Sequence, residues 1–313
     1  MRIRIVCSGT MPDFNFRLHQ AFIYDQIEAL KQLDKSLEFE YFYIKKGGLT
    51  GYFRAWRDLL KQQKQSPCDI IHAHGGLPAF LSILQFREKV ISTFHGSDIN
   101  LSKVRLPSAV AAIFSKKSIY VSEQLLEKSI FKGNPAVIPC GVDLSLFKPL
   151  QMKECRDKLG LETSKKYILF SSAFNNPVKN YPLLSETLKL WKGEAPEVLE
   201  LKNISREEVP LYMNAANVCV LCSFTEGSPQ FIKEAMACNR PIVSTNVGDV
   251  LELFGESVNC EITTFDAQIL CEKIAKLIDE SKSNGRSRML NYEQGMIAEK
   301  ILAIYRENKK KAS

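Results

Sequence analysis

No apolar run in this sequence approaches the roughly 18 residues that a membrane-spanning helix needs. The opening Met1-Arg2-Ile3-Arg4-Ile5-Val6-Cys7 is basic, but its apolar part is too short for a signal peptide. A cytoplasmic location is the resulting expectation, with the inner face of the membrane as the alternative setting. No repeat and no low-complexity stretch occurs beyond the Lys309-Lys310-Lys311 tail, which reads as a solvated, frayed end. A disulfide framework is not indicated either, since the nine cysteines are odd in number and irregularly spaced. Cys219 and Cys222 form a lone C-x-x-C inside the strand-like Asn217–Cys222, and no second pair follows at zinc-site spacing. Both read as core residues. No RNA- or DNA-binding motif is present, and the aromatics form no stacking platform, so nucleic acid is not an expected partner.

What is present is a chain of 313 residues, 45% hydrophobic and 25% charged, an ordinary globular composition with room for two domains. The net charge of +7 lies wholly in residues 1–150, and residues 151–313 are neutral overall. Such a basic half suits an anionic lipid or a phosphate-bearing substrate, and simple solubility is the plainer alternative. Strand-like and helix-like segments alternate throughout. In the first half the strands are read at Arg2–Cys7, Glu38–Ile44, Asp69–His74, Lys89–Phe94, Ser118–Val121 and Ala136–Pro139. In the second half they are read at Lys166–Ser172, Val198–Lys202, Asn217–Cys222 and Pro241–Ser244, with helices between and after them (Ala267–Ser281 and Tyr292–Lys309 being the last). The pattern implies an α/β protein of two Rossmann-like, doubly wound domains facing a central cleft, residues 1–147 and 148–313. The last helix is a candidate to pack back on the first domain. Open α/β sheets bind ligands beyond the carboxyl ends of their strands, so the important loops should follow strands.

The most informative stretch follows one of them: Thr225-Glu226-Gly227-Ser228-Pro229-Gln230-Phe231-Ile232-Lys233-Glu234-Ala235-Met236-Ala237. Ser228 reads as an N-cap and Pro229 as the first helical residue. The helix start is a natural anion site. Glu226 precedes it and Glu234 lies about two turns inside. Two carboxylates flanking a phosphate-binding helix end suit a ligand rich in hydroxyls, a sugar on one side and a ribose on the other. The plainer reading is a surface helix with two solvated glutamates.

Together with Arg240-Pro241-Ile242-Val243-Ser244-Thr245 and Val247-Gly248, this stretch resembles the E-x7-E signature of the family 4 (group 1) retaining glycosyltransferases. Other parts fall in the family's order. Ile138-Pro139-Cys140-Gly141-Val142-Asp143 is similar to its interdomain segment, Phe94-His95-Gly96-Ser97-Asp98 to its histidine loop, and Lys179-Asn180 to its diphosphate-binding loop. The resemblance implies the GT-B fold and transfer of a sugar from a nucleotide-sugar donor to a saccharide or lipid-linked acceptor, in surface polysaccharide biosynthesis. It implies that Glu226 binds donor-sugar hydroxyls, that the backbone from Gly227 through Ser228 and Pro229 to Gln230 approaches sugar and diphosphate, and that Glu234 holds the ribose. Lys179, beside Asn180, would neutralise the departing diphosphate, and His95 would stand near the reacting carbon. The family's usual arginine, about five residues before the lysine, is replaced here by Phe174, leaving Lys179 and the helix start, with Asn175 or Asn176 as donors. No D-x-D occurs, which fits a site without a metal or other cofactor, the nucleotide-diphosphate sugar being a substrate. Retention without an evident carboxylate nucleophile implies a front-face route. A sugar-nucleotide epimerase of the same fold and a non-catalytic partner subunit are the alternative readings.

In the first half, Gly9 after the first strand allows close approach of a substrate or is a plain turn glycine. His72 and His74 alternate on a strand and are expected on opposite sides, with His74 a candidate to line the acceptor site. Residues 45–64 carry six basic residues against Asp58. On a helix, Phe53, Trp56 and Leu60 form one stripe and Arg54, Arg57, Lys61 and Lys64 the other side. This pattern fits a membrane-surface helix, giving a possible peripheral membrane contact, or a crossover helix packed on the sheet.

Overall fold

The computed structural model of the protein describes residues 1–11, 13–280 and 282–309. Lys310 and Lys311 of the basic tail and Ser281, the end expected for one helix, lie outside the described residues. The chain divides into two compact units, Met1–Gly141 together with the segment from Gln294, and Val142–Glu293. The division falls ahead of the expected 147/148 boundary because Val142 and Phe147 are wholly buried in the core of the second unit.

Unit 1 holds β1 (Arg2–Ser8), β2 (Glu38–Ile44), β3 (Ile70–His74), β4 (Lys89–Phe94), β5 (Lys117–Tyr120) and β6 (Pro135–Val137), all parallel in the order β2-β1-β3-β4-β5-β6. Helices cover both faces, so the inner strands read as near-continuous apolar runs. Ile3, Ile5 and Cys7 pack with Ile27 and Leu30 of helix Ala21–Leu33 and with Ile297, Ile301 and Tyr305 of helix Gln294–Asn308. Val6, Ile71 and Ala73 face the other way, toward Ala55 and Leu59 of helix Gly48–Gln65. The helical segment before β2 is broken at Gln20 into Phe16–His19, capped by the Asn15 side chain, and Ala21–Leu33.

One buried charge interrupts this apolar sheet. Arg4 has no exposed surface and donates to Glu40, its register partner on β2, at 2.6 Å, and to the Ser66 carbonyl. Burial tends to raise the Glu40 carboxyl, but the Arg4 and Ser66 hydrogen bonds outweigh it and hold the group below its usual range. A depressed folded value means that the contribution is present above the unfolded carboxylate value and lost as pH falls through the folded one. Glu40→Gln leaves the guanidinium buried without its counter-ion and should cost on the order of 3 kcal/mol at neutral pH. In urea unfolding the gap between variant and wild type should close below about pH 4. A gap constant from pH 3 to pH 7 would exclude this linkage.

Unit 2 holds β7 (Tyr167–Phe170), β8 (Glu197–Glu200), β9 (Val218–Leu221), β10 (Ile242–Thr245) and β11 (Cys260–Thr263), parallel in the order β11-β10-β9-β7-β8. β11 escapes the sequence reading because it is a short edge strand. It carries the charged Glu261, about one-fifth exposed and ion-paired to Lys273 and Lys276 at 2.7 and 2.5 Å, where a central strand would carry an apolar side chain. Cys219 and Cys222 are wholly buried, and burial pushes both thiols up to about 12. In each sheet the winding reverses at one place: between β1 and β3 in unit 1, and between β7 and β9 in unit 2. Crevices beyond the carboxyl ends of those strand pairs are where such sheets take ligands.

Candidate active site

The loops that follow β7 and β9 therefore flank the switch point of unit 2. Lys179 comes from the first. Its turn is built locally, because the Asn176 side chain accepts from the Val178 N–H and starts the short helix Pro177–Lys179, which Asn180 ends at a φ of +55°. Glu226 comes from the second loop. Lys179 Nζ donates to Glu226 Oε1 at 2.6 Å, and Ser223 Oγ donates to the same oxygen at 2.6 Å. The two loops are also stitched through backbone, Phe224 N–H to the Val178 carbonyl at 3.0 Å. Glu226 is thus an anchored carboxylate rather than a solvated one.

The helix runs Gln230–Ala237, one residue later than expected. Pro229 is its N-cap, and Ser228 does not cap it. The Ser228 hydroxyl donates instead to Asp249 Oδ2 at 2.7 Å, tying the helix start to the loop after β10. Burial raises the Asp249 carboxyl, while Lys233, wholly buried on the helix, and the Ser228 hydrogen bond act against that rise. Gly248 completes the cradle. At its φ of +57° a Cβ would stand 2.7 Å from the Gly227 carbonyl oxygen, so two backbones meet here with no room for side chains. A helix start lacks i−4 carbonyl partners for its first N–H groups and carries positive potential.

Glu234 is only 5% exposed. Arg206, from the loop after β8, donates to Glu234 Oε1 at 2.5 Å, and its guanidinium lies 4.5 Å from the centroid of the Phe147 ring. Neither Arg206 nor Asp249 is evident from sequence spacing, since each reaches the site from its own loop. Phe174, in place of the family's arginine, stacks on Tyr181 with centroids 3.9 Å apart, and its N–H donates to Glu200 at 2.7 Å. The loop after β7 consequently contributes Lys179 as its one cation.

At the switch point of unit 1, Gly9 lies against protein. A Cβ there would meet the Phe14 ring at 3.0 Å and Tyr43 Cβ at 3.2 Å. His72 and His74 lie on the same face of β3, with ring centroids 4.2 Å apart, which corrects the expectation of opposite faces. Residues two apart on a strand share a face. His72 is fully committed, 2.6 Å from the Tyr305 hydroxyl and 2.7 Å from Thr93 Oγ1, and burial pushes its pKa down to about 3. His74 Nδ1 lies 3.1 Å from His95 Nε2, and the His95 ring packs 4.8 Å from Phe22. His74 and His95 line a cavity of about 280 Å³ with Phe22, Tyr52, Leu77 and Asp98. The Asp98 carboxylate is held by the N–H groups of Gly76 at 3.0 Å and His95 at 2.6 Å.

Helix Gly48–Gln65 buries Gly51, Ala55, Leu59 and Gln63. The expected stripe is therefore displaced. Phe53 is 58% exposed and Leu49 92%, on the side that also exposes Arg54, Arg57 and Lys61. Trp56 turns inward and donates to the Leu84 carbonyl at 3.3 Å. No described helix is long and apolar enough to cross a membrane, and the described residues contain no group of three His, Cys, Asp or Glu placed to hold a metal.

Two doubly wound sheets, one with a helix start and paired acid–base groups at its switch point, define the nucleotide-binding α/β class. Residues 29–146 match the model of Glycosyltransferase Family 4, and residues 179–280 match that of Glycosyl transferases group 1. A Bacillus subtilis protein named as a teichuronic acid biosynthesis glycosyltransferase, TuaC, is 29% identical over 246 residues, covering 69% of this chain and 63% of its own length. The N-acetyl-alpha-D-glucosaminyl L-malate synthase of Bacillus anthracis is 23% identical over 281 residues, 76% of this chain and 73% of that protein. Among solved structures, a sucrose-phosphate synthase from Thermosynechococcus elongatus superposes with a TM-score of 0.82 at 17% identity, over 98% of each chain. Anabaena HepE, in complex with UDP and glucose, does so with a TM-score of 0.78 at 17% identity, over 98% of this chain and all of the other. The chain belongs to the family 4 (group 1) glycosyltransferases and has the GT-B fold.

Proposed function

We propose that the chain transfers a hexose from a nucleoside-diphosphate sugar, bound by unit 2, to a saccharide or lipid-linked acceptor in the making of a surface polysaccharide or glycolipid. The observation that carries this is the pairing of Lys179 with Glu226 across the loops that flank the β7/β9 switch point, beside the start of helix Gln230–Ala237. In this reading Glu226 accepts from sugar hydroxyls and Glu234 from the ribose. The backbone from Gly227 to Gln230 meets the diphosphate. His95 serves the acceptor side, where the cavity it shares with His74 takes the accepting group.

The reaction proceeds with retention and without a metal. The bond from the anomeric carbon to the diphosphate breaks, with its electron pair leaving on the phosphate oxygen. The acceptor hydroxyl attacks from the same face, and its proton passes to the departing phosphate. Lys179 and the helix start stabilise the charge that develops there, so positioning and electrostatics are the protein's contribution. The complexes of Anabaena HepE with UDP and glucose make uridine diphosphate sugars the first donors to try. The test is a thermal-shift panel of nucleoside diphosphates and their sugars, followed by NMR of the product anomer with chelator present. If no nucleoside diphosphate raises the melting temperature above a phosphate control, the reading fails. Conversion of the donor sugar without acceptor would mark an epimerase instead.

The acceptor side extends to the membrane. Leu49 and Phe53, exposed beside Lys45, Lys46, Arg54, Arg57 and Lys61, form the apolar and basic face of a helix that lies on an anionic surface. Sedimentation with phosphatidylglycerol vesicles should pull down the protein, neutral vesicles should not, and Phe53→Ser with Leu49→Ser should abolish binding. Equal recovery from both vesicle types would remove this contact.

A further inference from the structure

Both glutamates of the E-x7-E pair meet a cation from another loop, and the cation on Glu234 has no counterpart in the resemblance that led to the site. Arg206 is well placed before any ligand is considered. Its turn is fixed by Glu208, whose Oε2 accepts from both the Ser205 hydroxyl and the Ser205 N–H, at 2.6 and 3.2 Å, ahead of helix Val209–Ala215. Its guanidinium rests on the ring of Phe147, which is wholly buried and therefore a rigid platform. Its Nη1 donates to Glu234 Oε1, one of the two oxygens through which a carboxylate accepts. A guanidinium braced in this way can fix the orientation of the carboxylate it meets.

We propose that Arg206 is a positioning residue for nucleotide binding: its ion pair with Glu234, braced on Phe147, aims that carboxylate at the ribose diol of a nucleoside diphosphate. The proposal rests on the reading of Glu234 as the ribose acceptor. Without Arg206, a carboxylate this deeply buried loses its counter-ion, turns toward other donors or takes up a proton, and no longer presents a fixed pair of acceptors. Phe174 removes a cation from the neighbouring loop, and Glu226 then pairs with Lys179 and Glu234 with Arg206.

The test is calorimetric titration of wild type, Arg206→Met, Arg206→Gln and Arg206→Lys with three probes: the nucleoside diphosphate selected by the thermal-shift panel, its 2′,3′-dideoxy form and inorganic pyrophosphate. Arg206→Met should weaken the nucleoside diphosphate by roughly 10- to 100-fold. Its effect on pyrophosphate and on the dideoxy form should be under about threefold, less than half of a tenfold step on the free-energy scale. Lysine should recover part of the loss and glutamine less, and they carry the test should the methionine variant not fold. In turnover, KM for the donor should rise with kcat nearly unchanged. An equal loss for pyrophosphate would make Arg206 a general anion attractor, and tighter nucleotide binding would make it a plug. Either result overturns the proposal, as does unchanged binding. Should wild type bind no nucleoside diphosphate, the donor-site reading falls and this inference with it. Should wild type and Arg206→Met bind it alike, this inference alone falls.

Discussion

Glu234→Ala should lower kcat/KM for the nucleotide sugar by about 10²- to 10⁴-fold, the largest effect of any single substitution in the chain. In the proposed role two ribose hydroxyls donate to this charged acceptor at roughly 1.5–3 kcal/mol each, which sets the size. The carboxylate sits on a helix packed into the core of unit 2 through Ile232, Ala235 and Met236, so the alanine leaves the backbone in place. It also leaves Arg206 without its counter-ion, and a modest drop in melting temperature should accompany the kinetic loss. Steady-state kinetics at matched folded fraction separate the two. Glu234→Gln should fall between wild type and alanine, since an amide offers one acceptor oxygen and loses the charge. Because Arg206 acts through Glu234, adding Arg206→Met to Glu234→Ala should cost little more. Wild-type kcat/KM in the alanine variant would refute the assignment.

Lys179→Ala should act differently. Its ammonium group, 2.6 Å from Glu226, is only about one-fifth exposed, so its charge is poorly screened by solvent. In the proposed role it meets charge that grows as the diphosphate leaves, and removing one such group costs about 10²–10³ in kcat. KM should change far less. Lys179→Arg should retain part of the rate. A variant that raises KM alone would show the lysine to be a binding group with no share in bond breaking.

Much of this architecture is legible in the sequence because parallel strands covered on both faces must be apolar throughout. Strands such as Lys89–Phe94 and Val218–Leu221 stand out for that reason. The E-x7-E helix is legible because a proline, a preceding loop and a two-turn spacing impose local geometry. What the spacing hides is which loops meet. Arg206 lies 28 residues before Glu234 in the chain, and only the order β9-β7-β8 brings the loop after β8 near the loop after β9. Ser228 illustrates a smaller shortfall. Its side chain suits a cap, but Asp249 from another strand's loop competes for the hydroxyl and takes it. On helix Gly48–Gln65 the aromatic side chains suggest the buried stripe, yet Gly51 and Ala55 take that side. A Cβ on Gly51 would lie 2.3 Å from the Lys46 carbonyl oxygen, so the glycine fixes which side turns inward.

The route of the backbone through unit 1 has a consequence for biosynthesis. Ile297, Ile301 and Tyr305 cover Ile3, Ile5 and Ile27, and the Tyr305 hydroxyl reaches the buried His72. During translation the first sheet must therefore wait, with one apolar side uncovered, until all of Val142–Glu293 has left the ribosome. The later-made unit is continuous in sequence and can mature first, inverting the usual N-terminal-first order. A nascent chain stalled near residue 293 would display bare isoleucines, and that interval is when the polypeptide most needs a chaperone.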